Sequence, residues 1–321
     1  MLQKHRPWPP VPVDYYRKAK SPGGLRFLLI SFVSCVRFVS DWPAAMTYPY
    51  SSPAVAVFVV LPTVLAALFL WAVIFSWRRS GADDAATSRA ALLAGLVTFA
   101  WMAVTWTAAS SGILREWDRR PPPFAFLVLG IIGLSALMAF SGVGRRIARF
   151  VPLWALVAVQ AFRLPLELAM HAMSERGIMP GVMSYSGRNF DIVTGVSAII
   201  VALLTRGGLA GRRLVIVWNV VGLLLLANVV IVAILATPAI RYFGDRQLNV
   251  WVTYPPFVWL PAVLVLAALA GHMVIFRALS AFPRSRPSAG GAGPEAGRTC
   301  PGDWDPDRCT TRRSAASRRR R

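Results

Sequence analysis

The sequence predicts an all-α protein, a polytopic transmembrane helical bundle of about seven helices, and three observations carry that expectation. Hydrophobic residues make up 56% of the 321-residue chain and charged residues only 15%, a balance that departs from soluble domains in both directions. The apolar residues gather in runs long enough, or nearly so, to cross a hydrocarbon core of ~30 Å at ~1.5 Å per residue. The arginines gather between those runs and at the two ends of the chain.

The runs are 53–77, 89–111, 124–143, 150–173, 188–205, 213–236 and 253–279. The first stops at Arg78 and Arg79, and the second lies between Arg89 and Arg115. Arg120-Pro121-Pro122-Pro123 precedes the third, and Arg145, Arg146 and Arg149 separate it from the fourth. Gly177-Ile178-Met179-Pro180-Gly181 breaks the chain after the fourth run, and Gly207-Gly208 after the fifth. The fifth is the weakest, because its apolar part, Phe190 to Leu204, is short and begins beside Arg188 and Asp191. No repeat relates the two halves, so an inverted-repeat transporter fold has no support.

The net charge of +21 does not point to nucleic acid, since no basic patch interleaved with aromatics sits in a soluble module. Residues 1–45 and 277–321 contribute +12 of it, and the remaining +9 lies mainly in short loops. The loops after the first, third and fifth runs hold nine arginines; those after the second, fourth and sixth hold seven, together with Glu116, Asp118, Glu175 and Asp245. The positive-inside rule then places the N-terminus outside and the C-terminus in the cytoplasm.

The domain reading is a basic extension over 1–45, a membrane domain over 46–282 and an Arg-rich cytoplasmic tail over 283–321. The tail has almost nothing to bury and is expected to be disordered. The basic extension conflicts with an external N-terminus. It reads as a signal-like segment ending near Ala44-Ala45, as an interfacial helix, or as sequence ahead of a true start at Met46; the third reading removes the conflict. The scarcity of lysine beside abundant Ala, Arg, Gly and Pro suggests a GC-rich bacterial genome.

The fourth run carries Gln160, Arg163, Glu167 and His171. At ~100° per residue they fall within an arc of about 80°, a polar stripe along one helix face. Charged groups at bilayer depth are expensive and often mark a functional site. Arg163 and Glu167 are four apart and can pair along the helix, or each can pair with Asp191 or Arg188. Glu167 and His171 share that spacing, and Pro165 between them frees a backbone carbonyl. Tyr185, Arg188, Asn189 and Asp191 precede the fifth helix, Asn228 lies in the outer half of the sixth, and Tyr254 and Trp259 open the seventh. These residues are the ligand-binding candidates, converging on the outer half of helices four to seven. Asn219 and His272 are polar exceptions in the inner halves.

The same pattern also fits an ion-pair network that only fixes helix packing, with Tyr254 and Trp259 as interfacial aromatics. Three cysteines, Cys35, Cys300 and Cys309, match no zinc spacing. No metal or cofactor is expected: His171 and His272 would lie at opposite faces and could not share a haem, and no HExxH, GxSxG or phosphate loop is present.

Four blocks give the run from Gln160 to Pro261 a resemblance. They are Phe162-Arg163-Leu164-Pro165-Leu166-Glu167, Gly187-Arg188-Asn189-Phe190-Asp191-Ile192, Trp218-Asn219 and Pro256-Phe257-Val258-Trp259-Leu260-Pro261. The run resembles a family of uncharacterised bacterial multi-pass inner-membrane proteins of about seven helices. The resemblance covers about a third of the chain and implies a membrane address and no activity; the basic extensions look unlike that family.

The function read from the residues is binding of a small molecule or ion, in transport or sensing, within a lipid bilayer. The alternative is an enzyme acting on a lipid-linked substrate, with Glu167 or Asp191 as acid/base and Arg163 or Arg188 gripping an anionic head group. A structural subunit of a membrane complex is the third reading. The absence of a nucleophile motif favours binding over catalysis, and the sequence leaves the oligomeric state open.

Overall fold

The computed structural model describes residues 53–281; the extension 1–45 and the tail 283–321 lie outside the described residues. Within them every regular element is helical: α1 Pro53–Arg79, α2 Asp84–Ser111, α3 Pro123–Phe140, α4 Gly142–Phe150, α5 Leu153–Val159, α6 Arg163–Glu175, α7 Ile192–Arg206, α8 Arg212–Leu235 and α9 Leu266–Ala281. The helix-bundle expectation holds. Six stretches are long and apolar enough to cross a membrane: α1, α2, α3, the continuous α5–α6 unit Leu153–Glu175, α8, and Leu260–Ser280.

Local chemistry sets the ends. Asp83 caps α2 by accepting from the Ala86 amide at 2.7 Å, and Gly112 closes that helix at φ 83°. Pro123 stands in the first turn of α3, where its missing N–H costs nothing. Gly142-Val143-Gly144 form the first turn of α4, with Ser141 accepting from the Gly144 amide at 3.2 Å. α4 buries Ile147 and Ala148 against Val73, Val274 and Ala278. Its arginines turn to the loops: Arg146 donates to Ser80 Oγ at 2.6 Å and lies over the Trp77 ring. Arg277 reaches the Ala139 carbonyl and Arg206 lies over Trp154. The basic loops after the first, third and fifth runs therefore share the end of the bundle where Leu153 lies.

The last span does not begin as an α-helix. Trp251–Thr253 is a 3-10 turn and Leu260–Val265 is π-helical. Side chains from neighbouring helices take up the irregular backbone: Trp101 Nε1 donates to the Ala262 carbonyl at 2.7 Å and Ser135 Oγ to the Leu266 carbonyl at 3.2 Å. Phe58, Trp251 and Phe257 meet edge to face in the core beneath. Leu92, Leu93, Leu96, Val97 and Phe99 of α2 are exposed together, an apolar face that suits lipid and would be costly in water.

The fifth run needs a correction. It folds as α7, only 15 residues and ~22 Å long, and is not among the helices long enough to cross. Its first residues, 188–191, are drawn out of helical geometry because Asn189 and Asp191 turn their side chains into the bundle. Gly195 fixes the depth of α7. A Cβ there would run into the backbone of Arg163 and Leu164, so the two helices touch main chain to main chain. From that level α7 runs back alongside α5, burying Ala198, Val201 and Ala202 with Val157. The other half of the passage is made by 176–191, a loop that descends beside α6 from Glu175 to Asp191. Six helices are thus long and apolar enough to cross, against the seven runs of the sequence.

Candidate functional site

The descent of 176–191 is held by three polar rungs to successive turns of α6. At the Glu175 end, His171 Nδ1 lies 3.0 Å from Ser184 Oγ. One turn deeper, Asn189 Nδ2 donates to both carboxylate oxygens of Glu167, at 2.9 and 2.8 Å, and to the Met183 carbonyl at 3.1 Å. Deeper again, Arg163 Nη1 pairs with Asp191 Oδ1 at 2.7 Å. Asn189 Oδ1 accepts from the Asp191 amide at 3.0 Å and so ties the second and third rungs together. Backbone at bilayer depth is tolerated when it is buried in protein and its polar groups are paired; here the loop bonds itself, with Arg188 N donating to the Val182 carbonyl and Gly187 N to that of Ser184.

Arg163 stands roughly midway along Leu153–Glu175 and is the hub. Its Nη1 also points at the Gly222 carbonyl in α8, at 3.5 Å, and its Nη2 lies 3.0 Å from His272 Nε2 in α9. A guanidinium can only donate, so His272 Nε2 accepts and Nδ1 carries the ring hydrogen. That hydrogen meets Asn219 Oδ1 at 2.8 Å, while Asn219 Nδ2 donates to the His272 carbonyl at 3.1 Å. Gly222 leaves the space that the His272 ring fills, and Gly271 leaves the space for the Gln160 amide. Gln160 Nε2 donates to the Ala268 carbonyl at 3.4 Å. Arg163, Glu167 and Asn189 are each 1% exposed and Asp191 is 4% exposed; charge this deep is retained only with partners.

Of the sequence candidates, the structure brings Arg163, Glu167, Asn189 and Asp191 into this one network, while Gln160 lies buried beside it and bonds only the Ala268 carbonyl. His171 joins at its outer edge, between Ser184, Ser186, Glu175 and the Tyr185 ring. Arg188 faces outward over Phe243, and only its backbone joins the segment, its carbonyl accepting from Asn228 Nδ2 at 2.8 Å. Tyr254 packs under Arg115, just past α2, and the Trp259 ring lies tilted against Trp106 of α2 and donates to the Met102 carbonyl at 3.2 Å; both precede α9 and pack at the α2 side of the bundle. Two members, His272 and Asn219, were set apart by the sequence as exceptions on the inner side. They belong with Arg163 because its long side chain leans toward the N-terminal end of its helix. The same geometry gives Arg163 to Asp191 and not to Glu167, which lies in the opposite direction along α6.

Among the described residues no three His, Cys, Asp or Glu side chains gather as a metal site. A groove of about 370 Å³ lies apart from the network, between α3 and α8, lined by Val128, Ile132, Met183, Leu223, Val230 and Leu269. Comparison with protein-family models, curated proteins and solved structures finds no match to the chain.

Proposed function

We propose that the chain is a multi-pass protein of a bacterial cytoplasmic membrane that binds a small molecule or ion at the Arg163 network, in transport or sensing. One observation carries the reading. A guanidinium, two carboxylates, an imidazole and two amides meet midway along the spans, and ionisable groups at such depth mark ion and substrate pathways. The 176–191 segment supports it too: the layer between the network and the Glu175 end of the bundle is a loop held by polar rungs, which can part more readily than an apolar helix–helix seam. A second reading, an enzyme on a lipid-linked substrate, is favoured by the apolar groove, whose open side would seat an acyl or isoprenoid chain.

Untargeted solute and lipid profiling of a deletion strain tests the two. A changed solute pool is the expected result. An accumulating lipid-linked intermediate would transfer the assignment to the enzyme, and neither change would leave a structural subunit.

Orientation follows from the shared basic end, which we place in the cytoplasm with the N-terminus outside. Reporter fusions after residues 80 and 146 are expected to read as cytoplasmic and a fusion after 118 as external. The reverse pattern would overturn this orientation.

A further inference from the structure

We propose that Glu167 is a proton-binding site, and that in the arrangement seen here its carboxyl group holds a proton. The proposal rests on the binding reading above for the proton's role, though not for its location.

The charges in the network do not cancel by themselves. Arg163 and Asp191 compensate each other at 2.7 Å. Glu167, equally buried, has no cationic nitrogen within 4.0 Å among the described residues, and both its oxygens share one Asn189 amide. One further positive charge makes the cluster neutral. His272 cannot supply it, since both ring nitrogens are committed, one accepting from Arg163 and the other donating to Asn219.

The groups facing Glu167 set the identity of that charge. Along its own helix lie Arg163 and His171, and on the 176–191 segment lie Asn189 and Asp191. α8 and α9 contribute Asn219 and His272, which lie on the far side of Arg163. α1, which also packs here, carries its only charges, Arg78 and Arg79, at its far end. A metal cation needs several oxygen ligands, whereas Glu167 is met by the Asn189 N–H donor, and among the described residues no three His, Cys, Asp or Glu side chains gather around it. A proton taken up from water needs only the carboxylate itself: one O–H bond forms on one oxygen, and the other oxygen keeps the hydrogen bond from Asn189 Nδ2.

The stripe also supplies an access route. His171 stands one turn nearer the Glu175 end on the same face, with its side chain 27% exposed. Its Nε2 lies 3.5 Å from Glu175 Oε1, and Glu175 is 68% exposed. His171 stands on the α6 face between Glu167 and the exposed Glu175, and proton exchange through it is part of the proposal.

Infrared spectroscopy of the purified protein in detergent tests this. Among the described residues Glu116, Glu167 and Glu175 are the glutamates, and only Glu167 is buried. At pH about 7 an exposed glutamate is ionised, so a carboxylic-acid C=O band that shifts on carbon-13 glutamate labelling reports Glu167. Wild type should show that band and Glu167→Gln should lose it; Asp191→Asn, which leaves the Arg163 charge for Glu167 to balance, should weaken it. In His171→Ala the band should persist but exchange more slowly on transfer to heavy water. The labelled wild-type spectrum needs no variant to fold. Its lacking the band, or His171→Ala exchanging at the wild-type rate, would overturn the proton site or its route respectively. Neither outcome depends on a solute: a normal solute pool in the deletion strain would remove the transport reading and leave the proton site in place.

Discussion

Asp191→Asn is expected to lower thermal stability in detergent by about 3–5 kcal/mol, and adding Arg163→Met should recover most of that loss. The single change leaves a guanidinium at mid-span facing an amide, with His272 Nε2 and the Gly222 carbonyl as its remaining acceptors. Both are neutral and neither offsets a buried charge. The double change removes the charge as well as its partner, and a Met side chain can fill the same space. Function separates the two meanings of the pair. A purely structural ion pair returns function along with stability in the double variant, whereas a binding site returns stability alone. Strictly additive losses in the double-mutant cycle would mean that the 2.7 Å contact does not hold the segment in place.

Gly195→Val should be as damaging, for a steric reason. A Cβ at this position meets the backbone of Leu164 and Arg163, and backbone cannot step aside as a side-chain tip can. α7 must move outward, and Asp191, four residues earlier, moves with it. Overpacking in a core costs about 1–3 kcal/mol, and this substitution belongs at the upper end because it also stretches the ion pair. Thermal unfolding gives the cost. In whatever folded protein remains, the coupling between Arg163 and Asp191 should shrink in a repeated cycle. An unchanged unfolding midpoint would mean that α7 does not pack main chain to main chain on α6.

The parts of the fold readable in the sequence are those that lipid dictates. Six of the seven apolar runs become spans because their length and composition answer to the bilayer and need no neighbour to define them. The fifth run depends on a neighbour. Residues 188–191 read as the start of a helix, but Asn189 and Asp191 find better partners on α6 than a helix end would give them. The π-helical entry to the last span is equally silent, since it depends on Trp101 and Ser135 reaching across to its carbonyls. For the network, helical spacing groups Gln160, Arg163 and Glu167 on one face. Spacing along one helix cannot tell that the guanidinium turns away from Glu167. The signal that would have drawn in His272 and Asn219 was present: each is a strongly polar residue in an otherwise apolar run, the same feature that marks Arg163.

The half-helical fifth passage also constrains how the chain enters the membrane during synthesis. A lone arginine at the centre of a span costs about 2.5–3.5 kcal/mol on insertion, and Leu153–Glu175 emerges first carrying Arg163 without its counter-ion. α7 emerges later, ~22 Å long, too short to cross alone and headed by an aspartate. Leu153–Glu175 is apolar enough to cross but carries the Arg163 charge, and α7 is too short to cross. Joined by the 2.7 Å contact between Arg163 and Asp191, with Gly195 allowing the two backbones to touch, they cancel each other's charge. The hairpin of Leu153 to Arg206 is therefore the smallest stretch of chain in which the Arg163 charge meets its counter-ion.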